Sequence, residues 1–425
     1  MLHQPGPGGS SRRAQRAFSG PRVMIYSHDT FGLGHLRRSR AIANRLVEGH
    51  PDASIVIISG SPIIGSFEFG DGVDYVRVPG VVKHANGDYT TLSLNMPLDE
   101  AVAMREGIIL QTARTLRPDL VIVDKEPTGF RGELLPALEE LRKGGARIVL
   151  GVRDVMDEPT VLAEEWERKG AVDALVRYYD DIWVYGLREI YEPLAGLDLP
   201  EHVRRRIVYT GFLRRELPPL PQLMRYPRLT KGPFILVTTG GGGDGHELID
   251  WVLSAYEQDP GIPTPALLVF GPFVARDRRG PFMDRIARLP NVDAITFDAK
   301  IEHLMMKAQG IVSMGGYNTF CEILSLDKRA LIVPRTTPRR EQSIRAEQAA
   351  RIGLVSMLDG DNLNPGAKRD AMAMARAIRH LPEQPLPSKA FLPHLLEGLD
   401  RIEKLTTPWF DARMNAVQLD RVASK

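Results

Sequence analysis

Three stretches of the chain combine glycine with residues able to hold a phosphate. The first, FGLGHLRRSRAIANRL (31–46), places Gly32, Gly34 and His35 after an apolar run and ahead of a helical pattern. The second, FILVTTGGGGDGHELI (234–249), has four consecutive glycines, among them Gly241, Gly242 and Gly243. Each glycine forfeits roughly 1 kcal/mol of helical or strand order relative to alanine, so such a run serves close backbone approach better than it serves a plain connector. The third, ending IVSMGGYNTFCEIL (311–324), carries Gly315 and Gly316 and then Asn318, Thr319 and Glu322 in the first turns of a helix. Thr319 and Glu322 are three apart and share a face. A hydroxyl there meets a phosphate, and a carboxylate one turn deeper accepts hydrogen bonds from vicinal hydroxyls. A strand followed by a glycine turn and a helix N-terminus is where backbone N–H groups and the helix dipole favour an anion.

Neither common nucleotide fingerprint is met. The dinucleotide pattern needs a third glycine where Arg37 stands, and the four-glycine run lacks the GK[ST] of a Walker loop. Proton-transfer candidates lie close by. His35 opens a helix and has an ordinary pKa near neutrality, which suits a base. Asp124 and Glu126, in VIVDKEPTG, occupy the C-terminal end of a strand, where ligands of open α/β sheets gather. Asp154 stands in a similar place beside Arg153. One DxD string, 359–361, falls in a Gly/Asn/Pro-rich turn, so no metal site is expected.

These loops need a scaffold. At 425 residues the chain exceeds what one core organises, so two domains meeting at a cleft are expected. An apolar fraction of 43% and 55 basic against 53 acidic residues are ordinary for a globular protein and leave no nucleic-acid footprint. A single cysteine, Cys321, excludes a disulfide framework and fits a reducing cytoplasm. No run approaches the ~20 apolar residues of a spanning helix, so membrane contact is expected to be peripheral at most.

Short β-branched runs at 22–27, 54–59, 120–124, 147–152, 181–185 and 207–210 alternate with helical patterns, and the alternation restarts at 234–239, 266–270, 294–297, 310–313 and 330–333. This predicts an α/β chain of two Rossmann-like, doubly wound halves. The expected division is a disordered leader (1–20), a first Rossmann-like domain (21–213), a Pro-rich linker (214–233), a second Rossmann-like domain (234–400) and a C-terminal helix or tail (401–425). The polar insertion at 83–97 interrupts the first half and reads as a functional loop.

The third loop and the following RALIVPRTTPRREQSIRAEQAARIGL (329–354) resemble the C-terminal half of family 28 glycosyltransferases, whose order is a GGxxTxxE helix, a strand ending in proline, and a loop leading to a glutamine-bearing helix. Gly315, Gly316, Thr319, Glu322, Pro334 and Gln342 occur in that order, with Arg345 beyond. Gly34 and His35 resemble the family's GGHxxP motif, although Arg38 replaces its proline. The resemblance implies GT-B architecture and metal-independent transfer of a sugar, with inversion, from a nucleotide-sugar, a UDP-sugar first, to an acceptor that is unidentified and lipid-linked or acidic. It implies that Glu322 binds the ribose and that the backbone from Phe297 to Ile301 reads the base. The glycines would lie near the diphosphate, Gln342 near the donor sugar, and Asn318 and Arg345 in the same pocket. No cofactor beyond this co-substrate is implied, and the place of action would be the cytoplasm, at most at the inner membrane face. Two other functions use the same scaffold: nucleotide-sugar epimerisation, and binding without catalysis. Arg335, Arg339 and Arg340 read either as contacts to an acidic acceptor or as a solvated run.

Overall fold

A computed structural model describes residues 20–28, 34–83, 88–218, 226–241, 245–271, 274, 276–298, 300–358, 366 and 369–423. Gly32, Gly242, Gly243, the 359–361 string and all but the last residue of the 1–20 leader lie outside the described residues.

The first half is built on β1 (Arg22–Ser27), β2 (Ser54–Ser59), β3 (Val73–Arg77), β6 (Leu120–Asp124), β7 (Arg147–Arg153), β8 (Asp181–Tyr185) and β9 (Ile207–Tyr209), with a small antiparallel hairpin of β4 (Val81–Lys83) and β5 (Tyr89–Thr91). The seven-stranded sheet is parallel and runs in the order β3-β2-β1-β6-β7-β8-β9. Its helices are α1 (Gly34–Gly49), α2 (Leu98–Leu116), α3 (Leu135–Lys143), α4 (Pro159–Arg168), α5 (Ala171–Tyr178) and α6 (Glu201–Arg204). The central strand β6, LVIVD, is buried throughout because helices cover both faces.

The second half repeats the plan with β10 (Ile235–Thr238), β11 (Ala266–Val269), β12 (Val292–Ile295), β13 (Gly310–Ser313), β14 (Ala330–Ile332) and β15 (Ser356–Met357), in the order β12-β11-β10-β13-β14-β15. Around them pack α7 (His246–Gln258), α8 (Arg276–Ile286), α9 (Glu302–Lys307), α10 (Tyr317–Ser325), α11 (Glu341–Arg351) and α12 (Ala371–His380). Both sheets therefore carry the strand order of a doubly wound fold. Strand β3 is absent from the expected list because VDYVR is a half-exposed edge strand and lacks an unbroken apolar run.

The last helix, α13 (Gly398–Ala423), begins just ahead of the expected 401, and Pro408 lies within it. Packing on both sides of the proline holds it together. Ile402 and Phe410 are buried, Phe410 stands edge-on to His50 at 4.9 Å, and Trp409 stacks on Trp183 at 6.3 Å. The chain thus crosses back to complete the core of its own first half.

Arginine–carboxylate pairs join the halves. Arg345 on α11 makes a two-pronged contact to Asp154 after β7, at 2.8 and 2.7 Å, with both side chains almost wholly buried. Its third nitrogen donates to the Gly315 carbonyl at 3.0 Å. Arg339 reaches Glu165 at 3.0 Å and Arg340 reaches Glu158 at 2.5 Å. The basic loop 335–340 therefore clasps the opposite domain, and it is no solvated run.

Removing one member of a buried charge pair strands the other, at about 3–5 kcal/mol. Arg345→Met should lower unfolding stability in a urea titration by about that amount, and Arg345→Met combined with Asp154→Leu should lower it by less than Arg345→Met alone.

Candidate functional site

The C-terminal ends of both sheets face each other, and between them lies a cavity of about 300 Å³. Three glycine turns border it. Gly34 opens α1, Gly240 and Gly241 follow β10, and Gly315 and Gly316 follow β13. Gly315 has φ +73°, and a Cβ there would meet Ile332 at 2.7 Å, so no other residue fits without disturbance. Gly316 precedes the first turn of α10, whose Tyr317, Asn318 and Thr319 line the cavity. The N-termini of α1 and α10 thus approach from opposite halves, tied by Asn318 Nδ2 donating to the Gly34 carbonyl at 3.1 Å.

Glu322 lines the cavity one turn deeper and is almost wholly buried. Its carboxylate lies 2.6 Å from Arg37 on α1, which also pairs with Glu302 at 2.7 Å. Burial raises the Glu322 carboxyl above its usual range, against the lowering influence of Arg37. Phe297, Ile301 and Gln342 reach the same cavity. Gln342 accepts from the Arg335 backbone N–H at 3.2 Å, and Arg335 in turn pairs with Glu341 at 2.8 Å. Arg345, grouped with these residues by resemblance, lies behind the Gly315 turn against Asp154 and does not line the cavity.

His35 and Asp124 form a buried dyad. Nδ1 of His35 is 2.6 Å from Asp124 Oδ2, and Arg38 grips both Asp124 oxygens at 3.0 and 2.8 Å. Asp124 is held down at about 2, with Arg38 and His35 overcoming the opposing desolvation. Arg38 Nη2 also lies 2.9 Å from Nδ1, but the ionised carboxylate is nearer and, accepting only, places the proton on Nδ1 and leaves Nε2 as the lone pair. Desolvation lowers His35 to about 4, with Arg38 assisting and Asp124 opposing, so it does not titrate near neutrality as its residue type suggests. Glu126 is elsewhere, tied to Lys125 at 3.1 Å and Lys169 at 2.6 Å.

Two doubly wound domains facing across such a cavity recur in solved structures. The glycotransferase of kitacinnamycin superposes with a TM-score of 0.57 at 16% identity, covering 95% of this chain and 98% of that one. VinC, solved with dTDP, gives 0.54 at 17% identity over 95% and 99%, and MurG of Acinetobacter baumannii gives 0.53 at 13% over 90% and 99%. At these identities the likeness is one of fold. No curated protein matches the sequence. Residues 235–368 match the glycosyltransferase family 28 C-terminal domain, the part that holds Gly315, Gly316, Glu322 and Gln342. The chain carries a family 28 C-terminal domain on a GT-B fold, the architecture of a glycosyltransferase.

Arg153 is a residue of this glycosyltransferase whose part sequence reasoning left open. It extends from the end of β7 into the cavity from the N-terminal half. Arg37, Arg38 and Arg335, which also line the cavity, are each ion-paired. Arg153 has no carboxylate within ion-pair distance, and its Nε has no hydrogen-bond partner among the described residues. Desolvation lowers it to about 10. Its position at a strand end was a usable signal, but the want of a partner was visible only in three dimensions.

A second cavity of about 530 Å³ adjoins on the N-terminal side, lined by His28, Tyr89, Glu126 and Arg339 among others. The His28 and His35 rings stand edge-on at 5.8 Å, which places the dyad directly behind the His28 side of this cavity. No group of three His, Cys, Asp or Glu side chains among the described residues is placed to hold a metal ion, and no helix among them is long and apolar enough to cross a membrane.

Burial lowers His28 to about 3 and His35 to about 4, from an ordinary 6.5. Both are neutral in the fold and take up a proton on unfolding below that ordinary value, so their stabilisation is complete above about pH 6.5 and is lost as pH falls toward 4. Urea titrations from pH 7 to pH 4.5 should show this decline, and His35→Asn should flatten it.

Proposed function

We propose that this glycosyltransferase moves a sugar from a UDP-sugar to an acceptor hydroxyl, with inversion, without a metal ion, and with His35 as the base. The observation that carries the reading is the division of labour among the three candidate bases. Asp124 is engaged by Arg38 and His35, and Glu126 by two lysines. Only His35 keeps a lone pair, Nε2, on a residue next to Gly34 of the first cavity and in ring contact with His28 of the second. That second space favours transfer over epimerisation, which needs no acceptor.

In this reading the acceptor O–H gives its proton to His35 Nε2 while its oxygen bonds to the anomeric carbon. The bond from that carbon to the diphosphate breaks with its electron pair, and UDP leaves. Asp124 stabilises the imidazolium that forms and holds the ring in register. The departing charge meets the N-termini of α1 and α10 and the guanidinium of Arg153, fixed dipoles and a charge that need no reorganisation. Glu322 takes the ribose hydroxyls in competition with Arg37, and the turn around Phe297 to Ile301 carries the base. Uracil comes from the resemblance to family 28, and VinC holds the kindred dTDP, so both nucleotides belong in the test. The lone thiol, Cys321, is buried and free, as suits a reducing cytoplasm.

His35→Ala should lower turnover ~10²–10⁴-fold while the dissociation constant for UDP changes little, read by steady-state kinetics and calorimetry on one preparation. A parallel loss of affinity would make His35 a phosphate ligand, and near-normal turnover would remove it from the chemistry. Calorimetric titration with UDP and dTDP, with and without EDTA, should give the same affinity in both buffers. A large loss in chelator would overturn metal independence.

A further inference from the structure

The wall of the second cavity offers many hydrogen-bond donors and few acceptors. Its basic side chains are Lys125, Arg131, Arg168, Lys169 and Arg339, against two carboxylates, Glu126 and Glu165. Each carboxylate already serves two cations. Glu126 takes Lys125 at 3.1 Å and Lys169 at 2.6 Å, and Glu165 takes Lys169 at 2.5 Å and Arg339 at 3.0 Å. Arg339 also lies 3.5 Å from Asp157, and Arg131 pairs with Asp99 at 2.9 Å among exposed groups. Arg168, at the end of α4, has no carboxylate partner among the described residues.

Lys125 is the most constrained of these. Its backbone is left-handed, at φ +75°, a conformation a lysine adopts only when its surroundings impose it, at roughly 1–2 kcal/mol. The turn directs the ammonium into the cavity wall, where burial lowers its pKa below the usual range, with Arg339 and Arg153 adding like-charge repulsion against the pull of Glu126 and Glu165. An ammonium has three N–H donors, and Glu126 takes one of them. The facing histidine, His28, is neutral and contributes no further charge. The opposite side is apolar, with Phe130 and Leu135 lining it and the Tyr89 ring 4.9 Å from that of Phe130.

A neutral polyol would meet these donors only with neutral hydroxyl oxygens and would leave the excess of positive charge uncompensated. An oxyanion accepts from ammonium and guanidinium donors together, through charge-assisted bonds about twice as strong as neutral ones. We propose that this cavity is the acceptor site and that the acceptor carries an oxyanion, a phosphate or a carboxylate, held by Lys125, Arg168 and Lys169. Its hydroxyl would point past His28 toward His35, and its apolar part would rest on Tyr89 and Phe130. The inference rests on the transfer reading above, and it narrows the acceptor to an anionic class.

The test uses the full chain saturated with UDP, which covers the donor cavity, and titrates inorganic phosphate and then acetate by calorimetry. Phosphate binding with acetate inert points to a phosphorylated acceptor, and the reverse to a carboxylated one. Arg168→Glu, an exposed change with no ion pair to break, should weaken the anion at least ~tenfold and leave UDP affinity unchanged. Lys125→Met should do the same, and Arg168→Glu decides the matter if Lys125→Met does not fold. Anion binding that is absent from the UDP-saturated protein, or equal in wild type and Arg168→Glu, overturns the proposal. The UDP titration of the same preparations reports on the donor reading separately.

Discussion

Everything at the cleft depends on the buried contact between Arg345 and Asp154. It fixes the distance between the two sheets, because a planar guanidinium meeting both carboxylate oxygens allows little rotation or slip. The same arginine holds the Gly315 carbonyl, so the turn that presents the N-terminus of α10 is referenced to a residue of the other domain. A buried ion pair is poor evidence of net stability, since desolvation consumes much of its attraction. Its value here is geometric. The peripheral pairs of Arg339 and Arg340 repeat the registration on a wetter rim, where each is worth less and is more easily exchanged.

The same economy of charge governs the chemistry. Nearly every carboxylate of the cleft is matched to an arginine or lysine, and the exceptions carry the functional meaning. Desolvation leaves His35 a weak, neutral base despite the ionised Asp124 beside it, and Arg153 is left a cation with no ion-pair partner among the described residues. Both departures come from the same source, groups withdrawn from water by the meeting of two domains.

Much of this was legible in the sequence wherever the constraint was local. The glycine at 315 announces a turn that a side chain cannot enter, and Thr319 and Glu322 share a face because a helix repeats every 3.6 residues. The doubly wound plan followed from strands apolar on both faces. What the sequence concealed was pairing across distance. Arg38 and Asp124 are 86 residues apart, and Arg345 and Asp154 are 191 apart, and nothing in either neighbourhood names its partner. Arg345 was therefore grouped with the donor-site residues it only supports. His35 was assigned an ordinary titration because its burial, the cause of its depressed basicity, arises only after the sheets close.

The crossing of α13 makes the first domain discontinuous. Ile402 and Phe410 fill part of a core whose strands were laid down from Arg22 onward. During synthesis the N-terminal half therefore emerges with that gap unfilled, its Trp183 and His50 lacking the aromatic rings that later cover them. The second half, whose described strands and helices from β10 to α12 are contiguous, has no such debt to the C-terminus. The order of translation and the order of structural completion are thus reversed, and the second half can be complete before the half that was made first.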